Sequence, residues 1–353
     1  MLTIYLIVLA AFAFIALTLA IRPCGVRLGL VDMPNARKQH KGEVPLIGGP
    51  ILCLMVVLII WFLSPSFTWG YVLASLALVG LGIADDFNDL PANLKLFIQA
   101  AIVSAFLYSS DGVITDIGIA KLEDPNLLAF GFTVFCVMVA INAFNFIDGI
   151  DGLAASASLM ALVHLIIADT LFGIGLSPAG KQMLIAVFSC IFAFMIFNMG
   201  LIKGGKIFLG DSGSTFLGFS LSLIVIHLTQ NSAYFAAHFG NDIQSTLPAP
   251  MALWVLAVPF IDFLTVSLRR IMSGHSPMRA DRKHLHHILS GKRAGLSKRN
   301  TLVCLVAVML LSFWLGTFLT LQFGNLVSIV GFFVFVPTVY FGLPALVRQW
   351  QGK

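Results

Sequence analysis

Residues 127–172 read LLAFGFTVFCVMVAINAFNFIDGIDGLAASASLMALVHLIIADTLF. Two apolar runs, 127–143 and 153–172, flank the polar string Asn142–Gly152. A helix needs roughly 20 mostly apolar residues to cross a hydrocarbon core. The string between the runs holds two amides, two carboxylates and two glycines among five apolar residues. Long apolar helices with their chemistry confined to the turns describe a membrane bundle, and the same alternation recurs along the whole chain. Of 353 residues, 59% are hydrophobic and 10% charged, against about 25% charged in soluble domains. A soluble globular domain is thereby excluded.

Apolar stretches fall at 2–21, 46–63, 69–84, 94–110, 127–143, 153–172, 182–200, 213–230, 251–268, 301–320 and 325–345. They predict an all-α polytopic membrane protein of about eleven transmembrane helices, built as one integral-membrane domain over 1–353. Residues 1–21 read as a span rather than a cleaved leader: no basic residue precedes the run and Arg22 follows it. Cys24, Cys53, Cys136, Cys190 and Cys304 lack metal-ligand spacing and read as packing residues or free thiols.

Lys and Arg decide the orientation. With the amino terminus periplasmic and the carboxyl terminus cytoplasmic, the inner segments are 22–45, 85–93, 144–152, 201–212, 269–300 and 346–353. Counting Lys95 at the fourth span's mouth, these hold all but Lys121 and Lys181 of the 21 Lys and Arg. The positive-inside rule selects that arrangement. The net charge of +5 is then cytoplasmic-loop charge facing anionic lipid, and no nucleic-acid module is visible.

The acids gather on that same inner side. Asp85 and Asp86 are adjacent carboxylates at a helix end, costly unless a cation neutralises them or water solvates them. Lys95 follows as a topology lysine or a point charge for a phosphate. Within Asn142–Gly152, Asn145, Asp148 and Asp151 recur at threes, which places them on neighbouring faces of a helical turn. Oxygen donors of this kind suit Mg²⁺ or Mn²⁺. Gly210-Asp211-Ser212-Gly213-Ser214 opens the eighth span. Asp211 there is either an ordinary cap or a metal ligand at an anion-favouring helix start.

The longest cytoplasmic loop, 269–300, predicts a short amphipathic helix running from Asp281 to Gly291, with Leu285, Ile288 and Leu289 as its stripe. His284, His286 and His287 within it read as donors to a diphosphate or uridine. Asp262, inside the ninth span, reads as a snorkelling partner of Arg269. His164 and His227 read as core residues. Lys38–Pro45 is either a positive-inside turn or a substrate-facing loop.

Together Asp85-Asp86, Asn145–Gly152, Gly210–Ser214 and His284-Leu285-His286-His287 resemble the polyprenyl-phosphate N-acetylhexosamine-1-phosphate transferases. The resemblance covers essentially the whole chain. Leu285 interrupts the histidine run, which is similar to the amino-sugar branch and unlike the muramoyl-pentapeptide branch with its three consecutive histidines. The resemblance implies transfer of N-acetylglucosamine 1-phosphate from UDP-N-acetylglucosamine to undecaprenyl phosphate, with release of UMP. That would be the first membrane step of O-antigen or enterobacterial common antigen synthesis, at the cytoplasmic face of a bacterial inner membrane. Another UDP-acetamido sugar or UDP-MurNAc-pentapeptide is the alternative donor. An ion-coupled transporter is the rival class, and it expects acids near the midplane.

By the same resemblance, Asp211 is a Mg²⁺ (or Mn²⁺) ligand with Asn145 its partner. Asp85 and Asp86 position or deprotonate the lipid phosphate, and Lys95 contacts phosphate. Asp148 belongs to the catalytic set, and Asp151 reads the uracil. Arg282, His284, His286 and His287 face the diphosphate or sugar, and Lys41 borders the nucleotide. The lipid bilayer is a partner, and a homodimer is compatible with the chain.

Overall fold

The computed structural model describes residues 2–33, 42–63, 69–110, 112–122, 127–230, 246–277, 283–291 and 294–351. Among the described residues the fold is all-α apart from a two-stranded antiparallel pair and one isolated β-bridge, Asp116 with Lys121. In order it runs α1 (Leu2–Arg27), β1 (Val31–Asp32), β2 (Val44–Pro45), α2 (Gly48–Leu63), α3 (Trp69–Asn88), α4 (Ala92–Ser110), α5 (Leu127–Ile147), α6 (Leu153–Phe172), α7 (Pro178–Asn198) and α8 (Gly210–Gln230). Then come α9 (Met251–Val255), α10 (Ala257–Met272), α11 (Leu285–Ser290), α12 (Lys298–Pro337), a π-helical turn (Thr338–Gly342) and α13 (Leu343–Trp350).

Among the described residues, eight helical runs are long and apolar enough to cross a membrane. One of them covers Lys298–Trp350, 53 residues, about twice what a single span needs. It breaks at Gly324, whose φ of 81° and ψ of 178° interrupt the helix between the expected stretches 301–320 and 325–345. The expected stretch 251–268 is also broken. It divides into α9 and α10 at Leu256, which has φ −106° and ψ 29°.

Helix α8 is the centre of the bundle. Across its span-length stretch it is 89% buried, against 22% for α1 and α4. It packs against α5, α3 and α2, while α1 lies on α7 and α10 lies on α5. Small residues make these approaches close, as in other membrane bundles. A Cβ on Gly82 of α3 would stand 2.3 Å from Ser212 Cα, and one on Gly49 of α2 would stand 2.2 Å from Gly213 N. Helices α2 and α3 therefore meet the first turn of α8 backbone to backbone.

The chain entering α8 also pairs with the chain entering α2. Phe208 N–H donates to Pro45 O at 2.9 Å, Gly48 N–H to Phe208 O at 3.0 Å, and Gly49 N–H to Leu209 O at 3.1 Å. These bonds extend the β1–β2 pair and gather the starts of α2 and α8 with the ends of α3, α5 and α10 at one mouth. At the far end of α8, Gln230 accepts from Thr115 N–H and Asp116 N–H. Lys181 pairs with Asp169 at 2.7 Å at the start of α7. Lys121 forms its β-bridge with Asp116 beside Gln230, so Lys121 and Lys181 both lie at the end remote from the mouth.

Candidate active site

Lys95 is the hub of the mouth. Its Nζ donates to Asp85 Oδ2 at 2.5 Å and also to Asp211 Oδ2. Asp211 Oδ1 accepts from Asn145 Nδ2 at 2.9 Å, and the same nitrogen lies 3.1 Å from Ser214 Oγ. Asp85 Oδ1 accepts from Leu90 N–H at 2.8 Å, which closes the turn between α3 and α4. Four helices, α3, α4, α5 and α8, therefore contribute side chains to a single cluster. The directly bonded Lys95 and Asp211 are 116 positions apart in sequence.

Asp86 points elsewhere. Its Oδ1 accepts from Asp211 N–H at 3.1 Å, so it caps α8 from a neighbouring helix. Gly210, at φ +71°, makes room: a Cβ there would lie 2.6 Å from Asp86 Oδ2. Orphan N–H groups at a helix start and the dipole behind them favour a carboxylate. Asp86 Oδ2 itself is buried without a hydrogen-bond partner among the described residues.

The Asn145–Gly152 string leaves α5 and turns into α6. Asp148 sits one turn past Asn145, its N–H directed at Asn145 O at 3.4 Å, and is half-buried. Asp151 pairs with Lys206 at 2.6 Å, and Lys206 Nζ lies 5.0 Å from the Phe208 ring centroid. Sequence reading passed over Asn198. It accepts from Gly152 N–H at 2.6 Å and donates to Ile207 O at 3.1 Å, tying this string to the chain that enters α8. The only trace of it in the sequence is one amide at the end of an apolar run.

The histidine loop docks on the same string. The short helix expected in 269–300 is α11, six residues long. Leu285 and Leu289 are buried, so its stripe faces the protein core. A Cβ on Gly149 would lie 2.1 Å from His286 Nε2. His286 is buried with neither ring nitrogen bonded among the described residues. Burial, and then the neighbouring His287 and His284, hold its pKa well below 6.5, so the ring is neutral. The His286 and His287 ring centroids are 4.2 Å apart.

His284 is buried too, with Nδ1 at 2.7 Å from Asp262 Oδ2. Asp262 is therefore not the partner of Arg269. That arginine donates instead to Tyr340 Oη at 2.5 Å and to Lys283 O at 3.2 Å. Lys41, Asp281 and Arg282 lie outside the described residues.

Among the described residues, no three His, Cys, Asp or Glu side chains form a ready metal cluster. The ammonium of Lys95 bridges the gap between Asp85 and Asp211. The acceptors around that gap are carboxylate oxygens, and Asp86, which caps the start of the helix that carries Asp211, has a buried oxygen without a partner among the described residues. Such a set fits a hard divalent cation in donor chemistry.

Residues 68–229 match the sequence model of glycosyl transferase family 4. That stretch contains the whole acidic cluster and stops short of Asp262 and the histidine loop, His284–His287. Over 313 residues the chain is 32% identical to the undecaprenyl-phosphate alpha-N-acetylglucosaminyl 1-phosphate transferase of Yersinia pestis, covering 85% of this chain and 79% of that protein. The chain belongs to the polyprenyl-phosphate N-acetylhexosamine-1-phosphate transferase family. The protein of the same name in Haemophilus influenzae is 33% identical over 350 residues, 95% of this chain and 91% of its own length. The one in Escherichia coli strain K12 is 30% identical over 327 residues, 88% and 83% respectively. Family membership and the apolar helices make this chain a multi-pass membrane transferase.

Proposed function

We propose that the chain transfers N-acetylglucosamine 1-phosphate from UDP-N-acetylglucosamine to undecaprenyl phosphate. A terminal oxygen of the lipid phosphate attacks the phosphorus that bears the sugar. The bond from that phosphorus to the bridging oxygen breaks, UMP leaves, and undecaprenyl-diphospho-N-acetylglucosamine forms. The observation that carries this reading is the Asp85–Lys95–Asp211–Asn145 cluster at the bundle mouth, beside a histidine loop packed on Gly149.

Phosphoryl transfer is mainly positioning and charge neutralisation. A phosphate monoester has a second pKa of about 6, so the nucleophile arrives mostly dianionic and needs little help losing a proton. Lys95, half-way between two carboxylates, neutralises the incoming phosphate, and Asp85 holds Lys95 in place. Asp86 keeps the first turn of α8 in position. Asp211, with Asp85 and Asn145 beside it, would hold Mg²⁺ or Mn²⁺, which supplies Lewis-acid charge neutralisation of the diphosphate. His286 and His287 face the donor, while Asp148 and Asp151 border its nucleoside. Direct one-step displacement follows from this division of labour. Inversion at the transferred phosphorus is the expected outcome, and retention would require a covalent intermediate instead.

In this reading the mouth opens to the cytoplasm of a bacterial inner membrane. Lys121 and Lys181, at the opposite end, agree with that orientation. The lipid phosphate lies at headgroup depth and the nucleotide sugar arrives from solution, so the two meet at the mouth. The product would start O-antigen or enterobacterial common antigen assembly.

The test is UMP release by purified protein in detergent, with competing UDP-acetamido sugars and UDP-MurNAc-pentapeptide, before and after chelation. Turnover with UDP-N-acetylglucosamine that is lost to chelator and restored by Mg²⁺ or Mn²⁺ is expected. Preference for another donor overturns the sugar assignment, and chelator-resistant turnover overturns the metal assignment.

A further inference from the structure

One buried acid takes no part in the transfer chemistry above. Asp262 lies within α10 and is 1% exposed, a setting in which a carboxylate is costly unless it is fully bonded. Both of its oxygens go to one short segment. Oδ2 stands 2.7 Å from His284 Nδ1, and Oδ1 accepts from Leu285 N–H at 2.6 Å. The second bond caps α11 from another helix, because His284, at the cap position, makes no side-chain capping bond of its own.

The first bond sets the position of a proton. A carboxylate only accepts, so Nδ1 carries the hydrogen of that bond. Arg270 Nη2, which can only donate, stands 3.4 Å from Nε2, and a bond there makes Nε2 the acceptor. Phe146 meets His284 edge-on, with centroids 5.0 Å apart, and the Arg270 guanidinium lies 5.1 Å from the Phe146 centroid. With both nitrogens engaged, His284 is a wedge between α10 and the Asn145–Gly152 string. His286 and His287 follow it after Leu285, and His286 rests on Gly149.

We propose that Asp262 is a positioning residue for the donor end of the site. By holding His284 with its proton on Nδ1 and capping α11, it sets where His286 and His287 meet the diphosphate of a nucleotide sugar. The role rests on the reading of the histidine loop as a donor contact given above.

The substitution Asp262→Asn separates this role from plain structural anchoring. The amide oxygen still accepts from Leu285 N–H, and the side chain keeps its size, so the cap and the packing survive. The amide nitrogen faces Nδ1 as a donor and drives the ring proton to Nε2, against Arg270. The experiment compares full-length wild type, Asp262→Asn, Asp262→Ala and His286→Ala in one detergent. UMP release is titrated in UDP-N-acetylglucosamine and in undecaprenyl phosphate, and thermal unfolding is followed in parallel.

The expected result is an Asp262→Asn protein that unfolds with the wild type and keeps its lipid KM. Its donor kcat/KM falls on the order of ten-fold or more. Asp262→Ala loses both stability and activity. Wild-type kinetics in Asp262→Asn overturn the proposal, and so does a loss of activity that merely tracks a thermal shift as large as that of the alanine variant. His286→Ala tests the underlying reading by itself. Wild-type kinetics there remove that reading and the role of Asp262 together, whereas a defective His286→Ala beside a wild-type-like Asp262→Asn removes the role of Asp262 alone.

Discussion

Asp86 Oδ1 accepts the backbone N–H of Asp211 at 3.1 Å, so an acid on α3 caps the helix whose first acid pairs with Lys95. The two adjacent aspartates of α3 thus divide their work. Asp85 reaches the lysine, and Asp86 holds the backbone that carries Asp211. Asp86→Asn keeps an acceptor for that N–H and is expected to unfold close to the wild type. Asp86→Ala removes it and should cost about 1–2 kcal/mol. Thermal unfolding of the two variants in one detergent checks the difference.

Lys95 joins two carboxylates whose side chains would otherwise face each other unneutralised. Lys95→Met is expected to lower UMP release by roughly 10²-fold or more, the scale of removing one preorganised charge from a transfer site. It should also destabilise the protein by about 1–3 kcal/mol, because partly buried carboxylates lose their partner. Lys95→Arg retains the charge with a planar fork and should recover stability more fully than rate. Steady-state rates and melting curves of the pair decide this.

Much of this arrangement was legible in the sequence, for a physical reason. A bilayer forces spans of predictable length and pushes the acids that are not buried to their ends, so the acidic mouth could be read from Asp85, Asn145 and Asp211. Contacts made at long range were not legible. Asp262 and Arg269 stand two turns apart on one helix, which suggests a local pair. The actual partner, His284, lies 22 residues further on. Asn198 and Lys206 carry no local pattern, because their partners, Gly152 and Asp151, belong to a different pair of helices. The breaks at Leu256 and Gly324 left only faint marks. An apolar run looks the same whether or not its backbone turns.

Gly82 and Gly80 lie on the same helix and differ in what a methyl group would meet. At Gly82 it would stand 2.3 Å from Ser212 Cα, and at Gly80 nothing lies within 4 Å. Gly82→Ala should push α3 off α8, with about 1–3 kcal/mol of destabilisation from overpacking and a matching loss of activity. Gly80→Ala should be tolerated. Melting temperatures and UMP release of the two variants make the comparison.

His286 is neutral because burial and its two histidine neighbours lower its pKa. In the unfolded chain the same ring has its ordinary pKa near 6.5 and takes up a proton below it. Acid therefore favours the unfolded state. The effect is absent well above pH 6.5 and grows as pH falls below that value, by up to about 1.4 kcal/mol per pH unit for this one group. His286→Asn removes the titration, so its loss of thermal stability between pH 7.5 and 5.5 should be smaller than that of the wild type. Melting curves at both pH values test the sign.

Phosphorus tracing puts the shared transfer site to the most direct test. Purified wild type and Asp211→Asn are incubated with UDP-N-acetylglucosamine labelled at the phosphorus next to the sugar, together with undecaprenyl phosphate and Mg²⁺, and the lipid extract is counted. Label should move into the lipid with one UMP released per lipid labelled, and Asp211→Asn should transfer at least about 10²-fold less while remaining folded. No labelled lipid from the wild type, or transfer by Asp211→Asn at the wild-type rate, contradicts the account.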